Sequence, residues 1–149
     1  MPNFRESDSG DIKFVESLLK QNGLPLDVLH ESGARLYIAE SGGRPVGTAG
    51  FEFYGHDALL RSVAVNVELQ HKGLGSRIVD FMLEEAKRRN VGRVVLLTET
   101  ARDFFLKKGF AVIARSEITN PALLASPEFT HACPQSAVCM QLILDKSVM

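Results

Sequence analysis

Apolar positions along this chain switch between helical and strand periods, and the switches mark its elements. Ile12, Val15, Leu18 and Leu19 recur at helical spacing, which predicts a helix over residues 10–22, capped by Ser7 or Asp8 and stopped at Gly23. Residues 2–5 read as a short strand and residues 26–31 as a helical turn. Over residues 35–41 the pattern alternates, with Leu36 and Ile38 on one side and Arg35, Tyr37 and Ala39 on the other. Gly42-Gly43 supplies a tight turn into a strand at 46–54, and Gly55-His56-Asp57 turns the chain into the next strand at 58–67. Connections this short join antiparallel neighbours.

The clearest helix covers residues 74–89. Leu74, Ile78, Met82 and Ala86 form its stripe, with Gly75, Val79 and Leu83 beside it. Glu84/Arg88 and Glu85/Arg89 are spaced to pair on the wet side, and Val91-Gly92 ends the helix. The uninterrupted run Val94-Val95-Leu96-Leu97 predicts a buried central strand at 93–98, parallel to the strand before the helix. A short helix at 101–108 closed by Gly109, a strand at 110–114 and, after a polar loop, an alternating strand through Val138, Met140, Leu142 and Leu144 complete the chain. That last strand is expected at a sheet edge, where it could build a homodimer. The pattern is an α/β (α+β) fold in one domain over residues 1–149, with a mixed, mostly antiparallel sheet and one β-α-β unit.

Composition narrows the function classes. With 45% hydrophobic and 23% charged residues, the 149-residue chain has a globular rather than a disordered composition. A net charge of −1 gives no support to nucleic-acid or anionic-membrane binding. No apolar run approaches a membrane span and the start is polar and acidic, so the expected location is cytoplasmic and Cys133 and Cys139 are expected as reduced thiols.

Candidate chemistry concentrates in Gln70-His71-Lys72-Gly73-Leu74-Gly75-Ser76, at the junction of a strand and the clearest helix. Two glycines spaced by one residue let successive N–H groups point into one concavity at the positive end of the helix, a site for a phosphate or pyrophosphate. A P-loop would need G-x-x-x-x-G-K-S/T, which is absent, and a dinucleotide turn would need a further glycine where Ile78 stands.

Val63-Ala64-Val65 followed by Gln70-x-x-Gly73-x-Gly75 resembles the acetyl-CoA-binding motif Q/R-x-x-G-x-G/A of the GNAT superfamily of N-acetyltransferases. Thr98, Ala101, Phe104, Phe105, Lys107, Gly109 and Phe110 resemble a second signature, N-x-x-A-x-x-F-Y-x-K-x-G-F. The resemblance implies about six to seven strands with helices on both faces and a splayed central strand pair. It implies acetyl-CoA as co-substrate, held by Val63, Ala64, Val65, Gln70, His71, Lys72, Gly73, Leu74, Gly75, Ser76 and Phe105, with Val63–Val65 offering backbone groups to the pantetheine. Lys72 and Arg77 either add phosphate charge or are solvated. Of Phe104 and Phe105, one is expected in the core and the other against the pantetheine. Acetyl transfer would proceed by direct attack of an amine on the thioester.

The catalytic half departs from the family. Phe105 stands where many relatives carry a tyrosine that protonates the leaving thiolate, Thr98 replaces the asparagine, and Leu59 and Leu60 occupy the end where some members place a glutamate. Glu52, of opposite parity to Phe51 and Phe53, is a candidate base or an idle strand carboxylate, and Tyr54 a candidate acid. Arg61 and Ser62 are candidate acceptor-binding residues; Arg61 either pairs with Glu52 or binds a substrate carboxylate. Glu99 and Thr100 touch substrate or, with Thr98, cap the next helix. Cys133 is a candidate reactive thiol at the acceptor side, whereas Cys139 has the setting of a core residue, and the segment lacks the ligands of a zinc site.

A narrower resemblance links Leu59-Leu60-Arg61-Ser62-Val63-Ala64-Val65, Phe104-Phe105, Pro127-Glu128-Phe129 and Cys133-Pro134-x-Ser136-Ala137 to a GNAT subgroup associated with bacterial arsenic resistance. It implies a small amine-bearing acceptor, such as an arsenic-containing amino acid. The leading expectation is therefore an acetyl-CoA-dependent N-acetyltransferase acting on a small primary amine. The alternatives are a non-catalytic acyl-CoA sensor, suggested by Phe105, and a thiol-based metalloid binder.

Overall fold

The structure is a computed structural model and describes residues 2–24, 34–132 and 136–144. The expected turn at 26–31 and Cys133 lie outside the described residues. In chain order the elements are β1 (Asn3–Glu6), α1 (Ile12–Gln21), β2 (Arg35–Ser41), β3 (Arg44–Tyr54), β4 (Asp57–Val65), α2 (Leu74–Arg88), β5 (Arg93–Thr98), α3 (Arg102–Lys107), β6 (Ala111–Ile113), α4 (Pro121–Leu124) and β7 (Val138–Ile143). They build one seven-stranded sheet in the order β1-β2-β3-β4-β5-β7-β6.

Local chemistry explains the frame. Asp8 accepts the Gly10 N–H at 2.8 Å, while Asp11 accepts the Asp8 N–H at 2.8 Å, so the start of α1 is capped reciprocally. Arg5 grips Asp11 through two hydrogen bonds of 2.8 Å and holds its carboxyl down at about 2, tying β1 to α1. Gly42 and Gly43 both take positive φ, which closes the two-residue β2–β3 turn at the Ser41–Arg44 pair.

The alternation in β2 sorts the two faces. Tyr37 and Ala39 join the core under α2 with Phe51, Leu60, Met82 and Phe105, while Ile38 packs under α1 with Val15, Leu18 and Leu19. A third cluster, Leu59, Val95, Ile118, Leu123, Phe129 and Cys139, lies between the sheet and the segment around α4. Helices thus cover both faces.

Three expectations are corrected. β7 lies between β5 and β6 rather than at an edge, because it pairs with β5 over six residues and with β6 over three; the argument for a dimer through that strand falls. α2 ends at Arg88, with Arg89 as its C-cap and Asn90 turning the chain at φ 60°, ahead of Val91-Gly92; asparagine tolerates the left-handed region. Arg88 reaches Glu85 at 2.7 Å instead of Glu84, which Lys87 meets at 3.4 Å, while Arg89 joins Glu85 at 3.3 Å as expected. No helix among the described residues is long and apolar enough to cross a membrane.

Candidate active site

β4 and β5 run parallel but pair over three residues, ending at Leu59 and Val95. Beyond them the strands part. The cause sits in β4: Thr48 pairs with Ala64 but Gly50 with Arg61, so Ser62 and Val63 together oppose one residue of β3. This bulge puts Ser62 at φ 58°, a backbone state a serine takes at a cost, and re-aims the strand away from β5.

The opening is the inner end of a groove. An inner cavity of about 220 Å³ is walled by Leu60, Arg61, Leu96, Thr98, Phe105 and Glu128, among others. An outer one of about 660 Å³ runs along Val63, Ala64 and Val65 to Gln70, His71, Gly73, Gly75 and Ser76. Both share Asn22, Val63, Thr100, Ala101 and Phe104, so the groove is continuous from the glycine turn to the gap in the sheet.

The glycine turn is shaped as its residue types require. His71 and Gly73 take positive φ, and Gly73 caps α2 from the left-handed region. A Cβ on Gly75 would meet a single neighbour within 4 Å, Val65 Cγ2 at 3.8 Å, so the missing side chain leaves groove space rather than core space. That cradle at a helix start suits the pyrophosphate of acetyl-CoA, and the narrow gap suits its thioester arm.

Most of the expected donor residues are brought together here, with three departures. Lys72 and Leu74 line a separate hollow with Pro2, Leu69 and Arg77, and Leu74 packs on the core. The Val65 carbonyl is not free for pantetheine: it accepts from Asn22 Nδ2 at 3.2 Å and Gln70 Nε2 at 3.3 Å. Gln70 also donates to Asn22 Oδ1 at 2.8 Å, so it fixes the turn to the end of α1. Phe105 is the core ring of its pair, edge-on to Phe104 and Phe110, while Phe104 lines both cavities. The Thr98 hydroxyl accepts the Ala101 N–H at 3.0 Å, ahead of α3, while Glu99 is exposed.

A buried polar cluster stands on the α4 side of the sheet. Glu52, 2% exposed, accepts from Arg61 Nη1 at 2.7 Å, Ser126 Oγ at 2.7 Å and the Tyr54 hydroxyl. The Glu52 carboxylate is thus held by an arginine and two hydroxyls, and Arg61 pairs with it in the structural sense the sequence left open. Burial first, and the bond to Glu52 second, push the Tyr54 phenol up to about 12. Neither Glu52 nor Tyr54 is among the residues lining the two cavities. Arg61 Nε donates to Ser62 Oγ at 3.1 Å, and Nη2 lies 3.7 Å from Glu128 Oε1. Cys139 is a buried core thiol, pushed up by burial.

Glu128 and Asn22 are the site residues that sequence reasoning left unassigned. Glu128 reaches the gap because the chain around α4 is pinned: Asn120 donates to the Tyr54 carbonyl at 2.9 Å and Asp57 Oδ2 at 3.1 Å while capping α4. An asparagine before a proline was a readable cap signal; its long-range partners were not.

A parallel pair that opens beside a glycine-started helix, with a groove joining the two, defines an acyl-CoA-type donor site. Residues 5–110 match the Acetyltransferase (GNAT) family, and the chain belongs to that family. It is accordingly an N-acetyltransferase that uses acetyl-CoA.

Similar solved structures include N-acetylglutamate synthase from Neisseria gonorrhoeae, complexed with coenzyme A and N-acetyl-glutamate (TM-score 0.81, 19% identity). The match covers 98% of this chain and 36% of that one, so the chain spans about a third of that protein's length. Rv2747 from Mycobacterium tuberculosis, in complex with CoA and NLQ, has a TM-score of 0.79 at 23% identity, covering 96% and 99%. The ribosomal-protein-S18-alanine N-acetyltransferase from Escherichia coli has a TM-score of 0.75 at 16% identity, covering 97% and 95%. At these identities the likeness is one of fold.

Proposed function

We propose that this enzyme acetylates the primary amine of a small molecule by direct attack on the acetyl-CoA thioester. The observation that carries this reading is the inner cavity. It holds about 220 Å³ and has the buried carboxylate of Glu128 in its wall, which suits a compact amine better than a polypeptide segment. The glycine turn and Val63–Ala64 hold the donor, Phe104 flanks its arm, and the gap between β4 and β5 orients the thioester. Orientation of two reactants in such a slot supplies much of the rate. Phe105 has no proton to give, so the leaving thiolate takes its proton from the attacking amine or from water. Support for a small acceptor also comes from the N. gonorrhoeae and M. tuberculosis structures, which hold small molecules together with CoA. The narrower resemblance adds arsenic-bearing amino acids to the acceptors worth assaying.

Thiol release from acetyl-CoA, measured against amino acids, polyamines, arsenical amines and a peptide amine, tests the reading. Release with a small amine and none with the peptide is expected. Acetyl-CoA binding without release for any amine would instead favour the sensor alternative suggested by Phe105.

A further inference from the structure

We propose that the acceptor carries an uncharged oxygen, a carbonyl or a hydroxyl, close to its amine, and that Arg61 selects it through Nη2. This rests on the small-amine reading above and names the class of amine.

The Arg61 side chain is 0% exposed, and two of its three nitrogens are engaged. Nε donates to Ser62 Oγ at 3.1 Å and Nη1 to Glu52 Oε2 at 2.7 Å. Nη2 is buried and has no hydrogen-bond partner among the described residues, an expensive state for a guanidinium donor. Its direction follows from its surroundings. Glu52 is not among the described residues around the inner cavity, whereas Glu128, whose Oε1 lies 3.7 Å from Nη2, stands in that wall with Arg61 itself. The satisfied Nη1 therefore turns away from the cavity and the unsatisfied Nη2 turns towards it. An oxygen of a bound acceptor at this wall gives Nη2 the partner it lacks.

The pairing with Glu52 decides what charge that oxygen carries. Both side chains are dry, and Ser126 Oγ at 2.7 Å and the Tyr54 hydroxyl fix the Glu52 carboxylate in place beside Arg61. A guanidinium matched in this way offers a hydrogen bond rather than a spare charge. A ligand carboxylate would bring a full charge to a dry pair that is already neutral, which is costly. A carbonyl or hydroxyl oxygen accepts the same bond and brings none. An amine without an oxygen leaves Nη2 unsatisfied.

The test takes the small amine turned over best and compares kcat/KM across one skeleton. The position next to the amine-bearing carbon is an amide, an alcohol, a carboxylate or a methyl group, and each value is normalised to the free-base fraction of its amine. A site built to bond a substrate group rejects analogues lacking it, and a hydrogen bond to a charged donor is worth about tenfold or more. The amide or the alcohol should therefore exceed both the methyl analogue and the carboxylate by at least about tenfold. Glu52→Leu with Arg61→Met removes the pair without stranding a charge. That enzyme should still bind coenzyme A and should turn over the oxygen-bearing and methyl analogues equally. Equal turnover of the methyl analogue by the unaltered enzyme, or a preference for the carboxylate, would overturn the proposal and leave the small-amine reading intact. So would a double variant that keeps the preference; if that variant does not fold, the series in the unaltered enzyme decides. No turnover of any small amine would overturn both readings.

Discussion

Glu52 and Arg61 face each other from neighbouring strands at 2.7 Å, with side chains 1% and 0% exposed, so each is the other's condition for burial. Removing one partner leaves a dry charge, and Glu52→Ala should destabilise the fold by about 3–5 kcal/mol. Replacing both with apolar residues of similar size, Glu52→Leu with Arg61→Met, should recover most of that loss. Chemical denaturation of the single and double variants measures it; additive losses would contradict a coupled pair.

The cradle makes a local prediction. Gly75→Val places its side chain in the groove beside Val65, so the variant should fold while coenzyme A affinity drops by about tenfold or more, roughly 1.4 kcal/mol. Gly73→Ala, at φ 83°, should instead cost about 1–2 kcal/mol of stability. Calorimetric titration and thermal melts separate the two effects.

Asn22 ties α1 to the strand end and the glycine turn through Leu18, Val65 and Gln70. Asn22→Ala should cost about 1–2 kcal/mol of stability and weaken coenzyme A binding, because the outer groove loses a wall. Unchanged binding in a less stable variant would confine Asn22 to a structural role.

The Tyr54 phenol is pushed from 10.0 up to about 12, so the folded state keeps a proton that the unfolded chain releases. The stability from its burial is whole below pH 10 and falls as pH rises from 10 towards 12. The chain has two tyrosines and no tryptophan, so phenolate absorbance in a Tyr37→Phe variant reports Tyr54 alone. Adding Glu52→Gln, which removes the carboxylate beside the hydroxyl, should lower that midpoint.

What the sequence disclosed and what it hid divide along range. The hairpin at Gly42-Gly43, the stripe of α2 and the donor turn at 70–76 were legible because each is written in adjacent residues. The parity that sends Glu52 away from Phe51 was legible too. Pairing with Arg61 was one of two readings open to it, whereas Ser126 was hidden: it lies 74 residues on and arrives because Asn120 clamps onto Tyr54 and Asp57. Ser62 gives no local sign of positive φ, since the bulge comes from a register shift between two strands. The place of β7 inside the sheet was hidden for the same reason. It depends on β5, which is separated from it by α3, β6 and α4.

The most direct measurement is a crystal structure of the protein with coenzyme A. The pyrophosphate is expected on the backbone amides of Gly73, Leu74, Gly75 and Ser76, with the sulfur in the gap between β4 and β5, facing Arg61 and Glu128. A sulfur lying outside that gap, or a pyrophosphate away from the glycine turn, would contradict the donor site described for this enzyme.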